Sequence, residues 1–232
     1  MAAAGTHEAG GSDGTRDGTD AHLAVFRRAV TALGEVTHRP ELRLAELPAP
    51  KRLAPYAYAL EASVRDPEAG AGAGTGTEAE TDDMDTELAD GRFVLLHDPA
   101  GQEGWQGTFR VVTLARTELE AELAVDPLLP EVTWSWLTGA LEAGSVRYGA
   151  PSGTVTRSGS YFFGELAGRG TQSELELRAS WSPLEPEAGV IPDVAAHLTV
   201  WCDVLCQCAG LPQHSDGGPV VPLPQRRGPR RG

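Results

Sequence analysis

The chain has 232 residues, a formal net charge of −14 and 41% hydrophobic residues, enough for one domain with a buried core. Its longest uninterrupted apolar run is the five residues 56–60, which excludes a transmembrane helix. The first twenty residues lack an apolar stretch that could serve as a signal peptide, and three cysteines do not make a disulfide framework, so we expect a cytoplasmic protein.

Three segments have compositions that are unfavourable for folding. Residues 1–20 hold four acids and one arginine, residues 66–90 hold nine acids and no basic residue, and residues 212–232 are rich in proline, glycine and arginine. Such segments bury too little apolar area to offset the entropy lost on ordering. We therefore predict a disordered N-terminal tail (1–20), a single α+β domain (21–211) with a disordered acidic insertion (66–90), and a flexible Pro/Arg-rich C-terminal tail (212–232).

The first half of the predicted domain contains one helix and three strands. A helical repeat of apolar residues follows the potential N-cap Asp20 and ends near Gly34. Residues 42–55 contain three prolines and are predicted to be a connector, with a short extended piece at Leu42 and Leu44. Strands are then predicted at 56–65, 92–97 and 108–116, and the last two should form an antiparallel hairpin.

The second half is predicted to contain two helices and two strands. Prolines at 127 and 130 introduce a helix that runs to about Ala143, and Pro192 opens a largely apolar helix that ends at Gly210. Between them, residues 153–163 and 173–181 have strand character. The fold class is therefore α+β, with a mostly antiparallel sheet of about five strands and three helices in the order α-β-β-β-α-β-β-α. Four tryptophans, at 134, 136, 181 and 201, are expected in its core.

Motifs for several kinds of chemistry are missing from the sequence. The only lysine, Lys51, does not lie in a phosphate-binding loop, the glycines at 70–76 do not fit a dinucleotide fingerprint, and no serine lies in a G-x-S-x-G motif at a predicted strand-to-helix turn. The acids between 82 and 90 lack the glycine that a calcium loop needs at its sixth position, which here is Leu88. We expect neither cofactor nor metal.

Cys202, Cys206 and Cys208 form a C-x3-C-x-C pattern on the last predicted helix. On a helix, Cys206 and Cys208 diverge by about 200°, so the three thiols do not converge on a metal ion. Small buried apolar side chains explain two of these cysteines, and we favour that reading over metal or redox chemistry.

Two groups of residues are candidates for contact with a ligand or partner. Trp105 lies in a glycine-rich loop, residues 101–107, close to Arg110, and its ring could either pack inward or meet a ligand. The second group is the set of C-terminal arginines, which could contact RNA or an acidic partner, fold back onto the acidic insertion 66–90, or be merely solubilising: Arg226, Arg227, Arg230 and Arg231. No residue is assigned a catalytic role.

The sequence resembles the actinobacterial domain-of-unknown-function family 3000. The stretches that carry the resemblance are FRRAV (26–30), RPELR (39–43), GRFVLLHDP (91–99), GWQGTFR (104–110), DPLLP (126–130), WSWL (134–137), PSGTV (151–155) and AAHL (195–198). This family has no assigned activity, so the resemblance implies no catalytic residue. The element order is also similar to that of small secretion-chaperone-like domains, which dimerise and hold other polypeptides, although no motif is shared.

The function that fits these observations best is that of a non-catalytic interaction or regulatory module, with a protein partner or a second copy of the chain. One alternative is a small-ligand-binding protein or enzyme that uses the 101–107 loop. The other is an RNA-associated protein that uses the C-terminal arginines. No membrane contact is expected.

Overall fold

Six strands form one antiparallel sheet in the order β1-β2-β3-β4-β6-β5, and the long helices pack against one of its faces. The computed structural model describes residues 13–67, 87–187 and 189–212. In chain order the elements are α1 (Asp13–Gly34), β1 (Leu42–Leu47), β2 (Tyr56–Arg65), β3 (Glu87–His97), β4 (Phe109–Leu119), α2 (Ala121–Ala124), α3 (Leu129–Ala143), β5 (Tyr148–Ser160), a 3₁₀ turn (Gly164–Leu166), β6 (Gln172–Pro183) and α4 (Val194–Cys208).

The α+β fold with an antiparallel sheet is confirmed, but the described residues form six strands and four α-helices rather than five and three. The additional strand is β1, which includes the short extended piece expected at Leu42 and Leu44 of the predicted connector, and it pairs with β2 so that Leu42 lies opposite Val64. The additional helix, α2, is a single turn with no buried residue. Both elements are short and lie at the edge or end of the sheet, where little apolar periodicity is required.

Helix α1 begins at Asp13, seven residues before the predicted N-cap Asp20. An exposed aspartate lowers the stability of a helix only slightly, so Asp20 can lie inside α1. The presence of a residue type that favours N-caps does not by itself determine where a helix begins. Most of the predicted tails and insertion lies outside the described residues, namely 1–12, 68–86 and 213–232. Residues 87–90 of the predicted insertion belong to β3.

Side chains alternate between the two faces of the sheet, as strand geometry requires. On β4, Phe109, Val111 and Ala115 point to the helices and belong to the core, whereas Arg110 and Val112 point the other way. We call this second side, which no helix covers in the described part of the chain, the open face. Its central residues are Arg92, Val94, Arg110, Val112, Leu114, Arg178, Ser180 and Ser182.

Helix α4 lies close to the centre of the sheet at Gly91. A Cβ atom placed on Gly91 would lie 2.6 Å from the carbonyl oxygen of Leu114 and 2.8 Å from Cζ2 of Trp201. Trp181 and Trp201 are both fully buried, as predicted, whereas Trp134 and Trp136 are half-buried. The core is therefore concentrated where α4 meets β3, β4 and β6.

Among the described residues, no helix has the length and apolar character needed to cross a membrane.

Candidate functional site

The open face carries a shallow depression, with a volume of about 640 Å³, that is broadly open to solvent. Apolar side chains of β3 and β4 form its floor, hydroxyl side chains of β5 and β6 lie at one side, and two arginines border it. The side chains concerned are Val94, Val112, Leu114, Ser152, Thr154, Ser180, Arg92 and Arg178.

The register of the sheet places these residues in two parallel rows. In one row, Val94 is opposite Val112, Val112 is opposite Ser180, and Ser180 is opposite Ser152. In the other, Arg92 is opposite Leu114, Leu114 is opposite Arg178, and Arg178 is opposite Thr154. Each row therefore runs from apolar or charged groups on the central strands to a hydroxyl on the edge strand β5.

Arg110, one of the predicted contact residues, lies at one end of this depression and is buried. Its Nη1 donates to the carbonyl oxygen of Ala150 at 3.0 Å and to Ser182 Oγ at 3.2 Å. Its Nη2 donates to Ser152 Oγ at 3.2 Å and to Ser180 Oγ at 2.7 Å. Both terminal nitrogens thus have their two N–H groups occupied, and we call the group of Arg110, Ser152, Ser180 and Ser182 the serine–arginine cluster.

All four acceptors of the Arg110 guanidinium are neutral oxygens. Burial lowers the pKa of this guanidinium, and no carboxylate in the described part of the chain acts on it in the opposite direction. An arginine nevertheless keeps its proton in proteins, so the cluster holds one positive charge that no described acid neutralises. A buried charge in this state attracts anions to the nearest accessible surface.

The hydroxyls of Ser152 and Ser180 connect this charge to the depression. Their oxygens are 3.2 Å apart, and each already accepts a hydrogen bond from Arg110. Each hydroxyl has a single proton to donate, and only one of the two can donate to the other. At least one O–H group can therefore donate to a group bound in the depression.

The cluster also fixes an irregular part of β5. The register between β5 and β6 shifts between Gly149 and Ser152, and Ala150 has a positive φ of 48°. The carbonyl of Ala150 accepts the hydrogen bond from Arg110 at this point. The shifted backbone brings Ser152 opposite Ser180, where Arg110 can reach both.

Trp105, the other predicted contact residue, lies in the loop between β3 and β4 and is half-buried. Its backbone N–H donates to the carbonyl of Gln102. All four hydrogen bonds of Arg110 go to β5 and β6, so the structure does not join these two residues into one site. The loop reaches the edge of the cluster through Gln106, whose side chain lies against Gly149.

Ion pairs occupy other positions on the open face. Arg116 donates to Asp90 at 2.6 Å, and this hydrogen bond raises the pKa of the Arg116 guanidinium. The exposed Arg178 pairs with Glu176 at 2.7 Å. These arginines have acidic partners, which distinguishes them from Arg110.

The three cysteines of α4 do not converge. Cys202 and Cys206 are buried, in agreement with the prediction of small apolar side chains, and Cys208 is half-buried. Burial raises the pKa of the Cys206 thiol to about 11 and that of Cys208 to about 12, and it raises the pKa of Cys202 further. Within 13–67, 87–187 and 189–212, no three His, Cys, Asp or Glu side chains are arranged to hold a metal ion.

Sequence reasoning did not identify the serines of the cluster. Ser180 and Ser182 are alternate residues of β6, and this spacing indicates that both point to the same face. Their proximity to Arg110 depends on the non-sequential pairing of β4 with β6. The C-terminal arginines at 226, 227, 230 and 231 lie outside the described residues.

One protein family, described as a protein of unknown function (DUF3000), matches residues 23–217 of the chain. No curated protein and no solved structure gives a significant match.

Proposed function

The chain belongs to the DUF3000 family, and we propose that it is a non-catalytic interaction module that binds an extended polypeptide segment of a partner protein. The segment lies on the open face and carries both carboxylate and apolar side chains. The observation that carries this proposal is the apolar floor of the depression, Val94, Val112 and Leu114, which lies beside the uncompensated charge of Arg110.

The shape of the depression favours a polypeptide over a small molecule. Small-molecule sites usually enclose most of their ligand's surface. A depression that is broadly open across four strands gives such enclosure on one side only. A segment of about eight residues in extended form is long enough to cross these strands and can cover the whole apolar floor.

The placement of the reactive side chains supports a binding role rather than a catalytic one. The imidazoles of His97 and His197 are buried on the helix side of the sheet, and burial lowers the pKa of both. The cysteine thiols lie on α4 and have raised pKa values. These histidines and cysteines therefore lie away from the depression. A substrate bound in the depression would not contact them.

The proposal is tested by selecting peptides of about eight random residues on the intact protein, followed by fluorescence anisotropy with the selected peptides. We expect them to combine acidic with apolar residues. Val112→Glu places a negative charge in the floor of the depression and should weaken binding about tenfold or more. Val132→Glu, the same change at an exposed position of α3, should leave binding unchanged.

Three outcomes would overturn the proposal. One is that no peptide is selected, and another is that the selected peptides bind the Val112→Glu variant as tightly as the wild type. The third is a dimer in solution that Val112→Glu dissociates, since a second copy of the chain would then occupy the open face.

A further inference from the structure

The serine–arginine cluster combines a buried positive charge with two hydroxyls at one end of the depression on the open face. We propose that Ser152 and Ser180, supported by Arg110, form a binding site for a single carboxylate group. This inference deepens the proposed function, because it names the chemical group of the partner that this end of the depression recognises.

The positive charge of Arg110 supports binding of an anion. Its guanidinium is buried and donates only to neutral oxygens. An anion at the mouth of the cluster gains the attraction of this charge, because no acid of the described residues accepts a hydrogen bond from Arg110, and Asp90 and Glu176 pair with Arg116 and Arg178 instead. The hydroxyls transmit the attraction, since hydrogen bonds polarise one another along a chain.

A structural role for Arg110 accounts for only part of this arrangement. The bonds to the carbonyl of Ala150 and to the fully buried Ser182 fix the irregular backbone of β5. Ser152 and Ser180, by contrast, line the depression. Two hydroxyls that face solvent are not needed to fix the backbone, and they present the charge of the arginine to a ligand.

The number of donors and the charge favour a carboxylate over a phosphate. The cluster carries one positive charge, and both terminal nitrogens of Arg110 are already occupied. When one of the Ser152 and Ser180 hydroxyls donates to the other, the proton of one hydroxyl is left for a ligand. A carboxylate, with a single negative charge, matches one positive charge and few donors, whereas a phosphate brings more charge and needs more donors.

The direct test is a titration of the full-length, ¹⁵N-labelled protein with acetate, followed by amide chemical shifts at constant ionic strength. We expect saturable shifts at Ser152 and Ser180, with a dissociation constant on the order of 10 mM. Acetamide, which is neutral and of similar shape, should produce no saturable shift there. Equal shifts with acetamide, or tighter binding of inorganic phosphate than of acetate, would refute the carboxylate assignment.

Two variants separate the site from its surroundings. Ser180→Ala removes a donor and should weaken acetate binding about tenfold. Thr154→Ala removes a hydroxyl that lines the same depression but is not bonded to Arg110, and it should not change the acetate affinity. If Ser180→Ala disturbs folding, the comparison of acetate with acetamide on the wild-type protein still decides the question.

The failure of this inference can be distinguished from the failure of the proposed function. Selected peptides that bind the open face, together with no acetate response at Ser152 and Ser180, would refute only the carboxylate site. Saturable acetate binding without any selected peptide would support the site and refute the polypeptide partner.

Discussion

Nε1 of Trp181 donates a hydrogen bond to Nδ1 of His197 at 3.0 Å, and this bond joins the sheet to α4 inside the core. Because Nδ1 accepts this hydrogen bond, the neutral imidazole carries its proton on Nε2, which faces the carbonyl of Arg147. A protonated imidazole has no acceptor and would lose the bond to Trp181. The core therefore requires the neutral form of His197.

The first prediction concerns the pH dependence of stability. Burial lowers the pKa of His197 from 6.5 to about 4. As the pH falls below 6.5, the unfolded chain takes up a proton at this residue before the native protein does. The neutral imidazole of His197 therefore contributes about 3 kcal/mol to the free energy of unfolding. This contribution is complete above pH 6.5 and is lost as the pH falls to about 4.

Urea denaturation at a series of pH values measures this loss. His197→Gln should be less stable at neutral pH and should remove most of the fall in the free energy of unfolding between pH 6.5 and 4. A smaller fall should remain, because burial also lowers the pKa of His97. A fall between pH 6.5 and 4 that is as large in His197→Gln as in the wild type would contradict this account.

The second prediction concerns the close approach of α4 to the sheet. Gly91→Ala adds a methyl group against the backbone oxygen of Leu114 and the ring of Trp201, and it should lower the free energy of unfolding by about 2 kcal/mol or more. Gly139→Ala, at an exposed position of α3 with nothing within 4 Å, should instead raise it by up to about 1 kcal/mol. Thermal unfolding should show the two midpoints moving in opposite directions.

The third prediction concerns the structural part of the Arg110 role. Arg110→Met leaves the carbonyl of Ala150 and the hydroxyl of Ser182 without their donor, and it should destabilise the protein by about 3 kcal/mol. Amide hydrogen exchange should accelerate in β5 near the shifted register. Arg92→Met, at an exposed position of the same face, should change stability by less than about 0.5 kcal/mol. Similar losses in both variants would indicate a general effect of charge.

The fourth prediction concerns thiol reactivity. Thiolates are the reactive form, and burial keeps the pKa values of Cys206 and Cys208 near 11 and 12. In the native protein near neutral pH, a disulfide reagent should react with these cysteines about a hundredfold more slowly than with a free thiol in solution. All three thiols should react after denaturation. Ser135→Cys, at an exposed position of α3, should add one thiol that reacts rapidly in the native protein.

Strands that alternate strictly in the sequence were predicted most accurately. Residues 173–181 of β6 and 56–65 of β2 were recognised because one face of each strand is buried under helices, which requires apolar residues at every second position. The antiparallel hairpin of β3 and β4 was also predicted, and its pairing is confirmed. The local sequence therefore predicts a strand best when one face of that strand is buried.

Features that depend on distant pairing were predicted least completely. Only a short extended piece at Leu42 and Leu44 was expected where β1 lies, because this strand is held by its backbone pairing with β2, a contact that leaves little trace in its own six residues. The serine–arginine cluster is a similar case, because residues 110, 152, 180 and 182 meet only when β6 lies between β4 and β5. Arg110 was singled out for its position near a loop, whereas its partners are on other strands.

The position of β6 also affects how the chain folds during synthesis. β6 leaves the ribosome after β5 but lies between β4 and β5 in the sheet. Until residues 172–183 have emerged, β4 and β5 both lack the strand that lies between them in the sheet. Unpaired edges can pair with other chains, and contacts that are distant in sequence form slowly. The growing chain is therefore exposed to pairing with other chains through these edges until β6 appears.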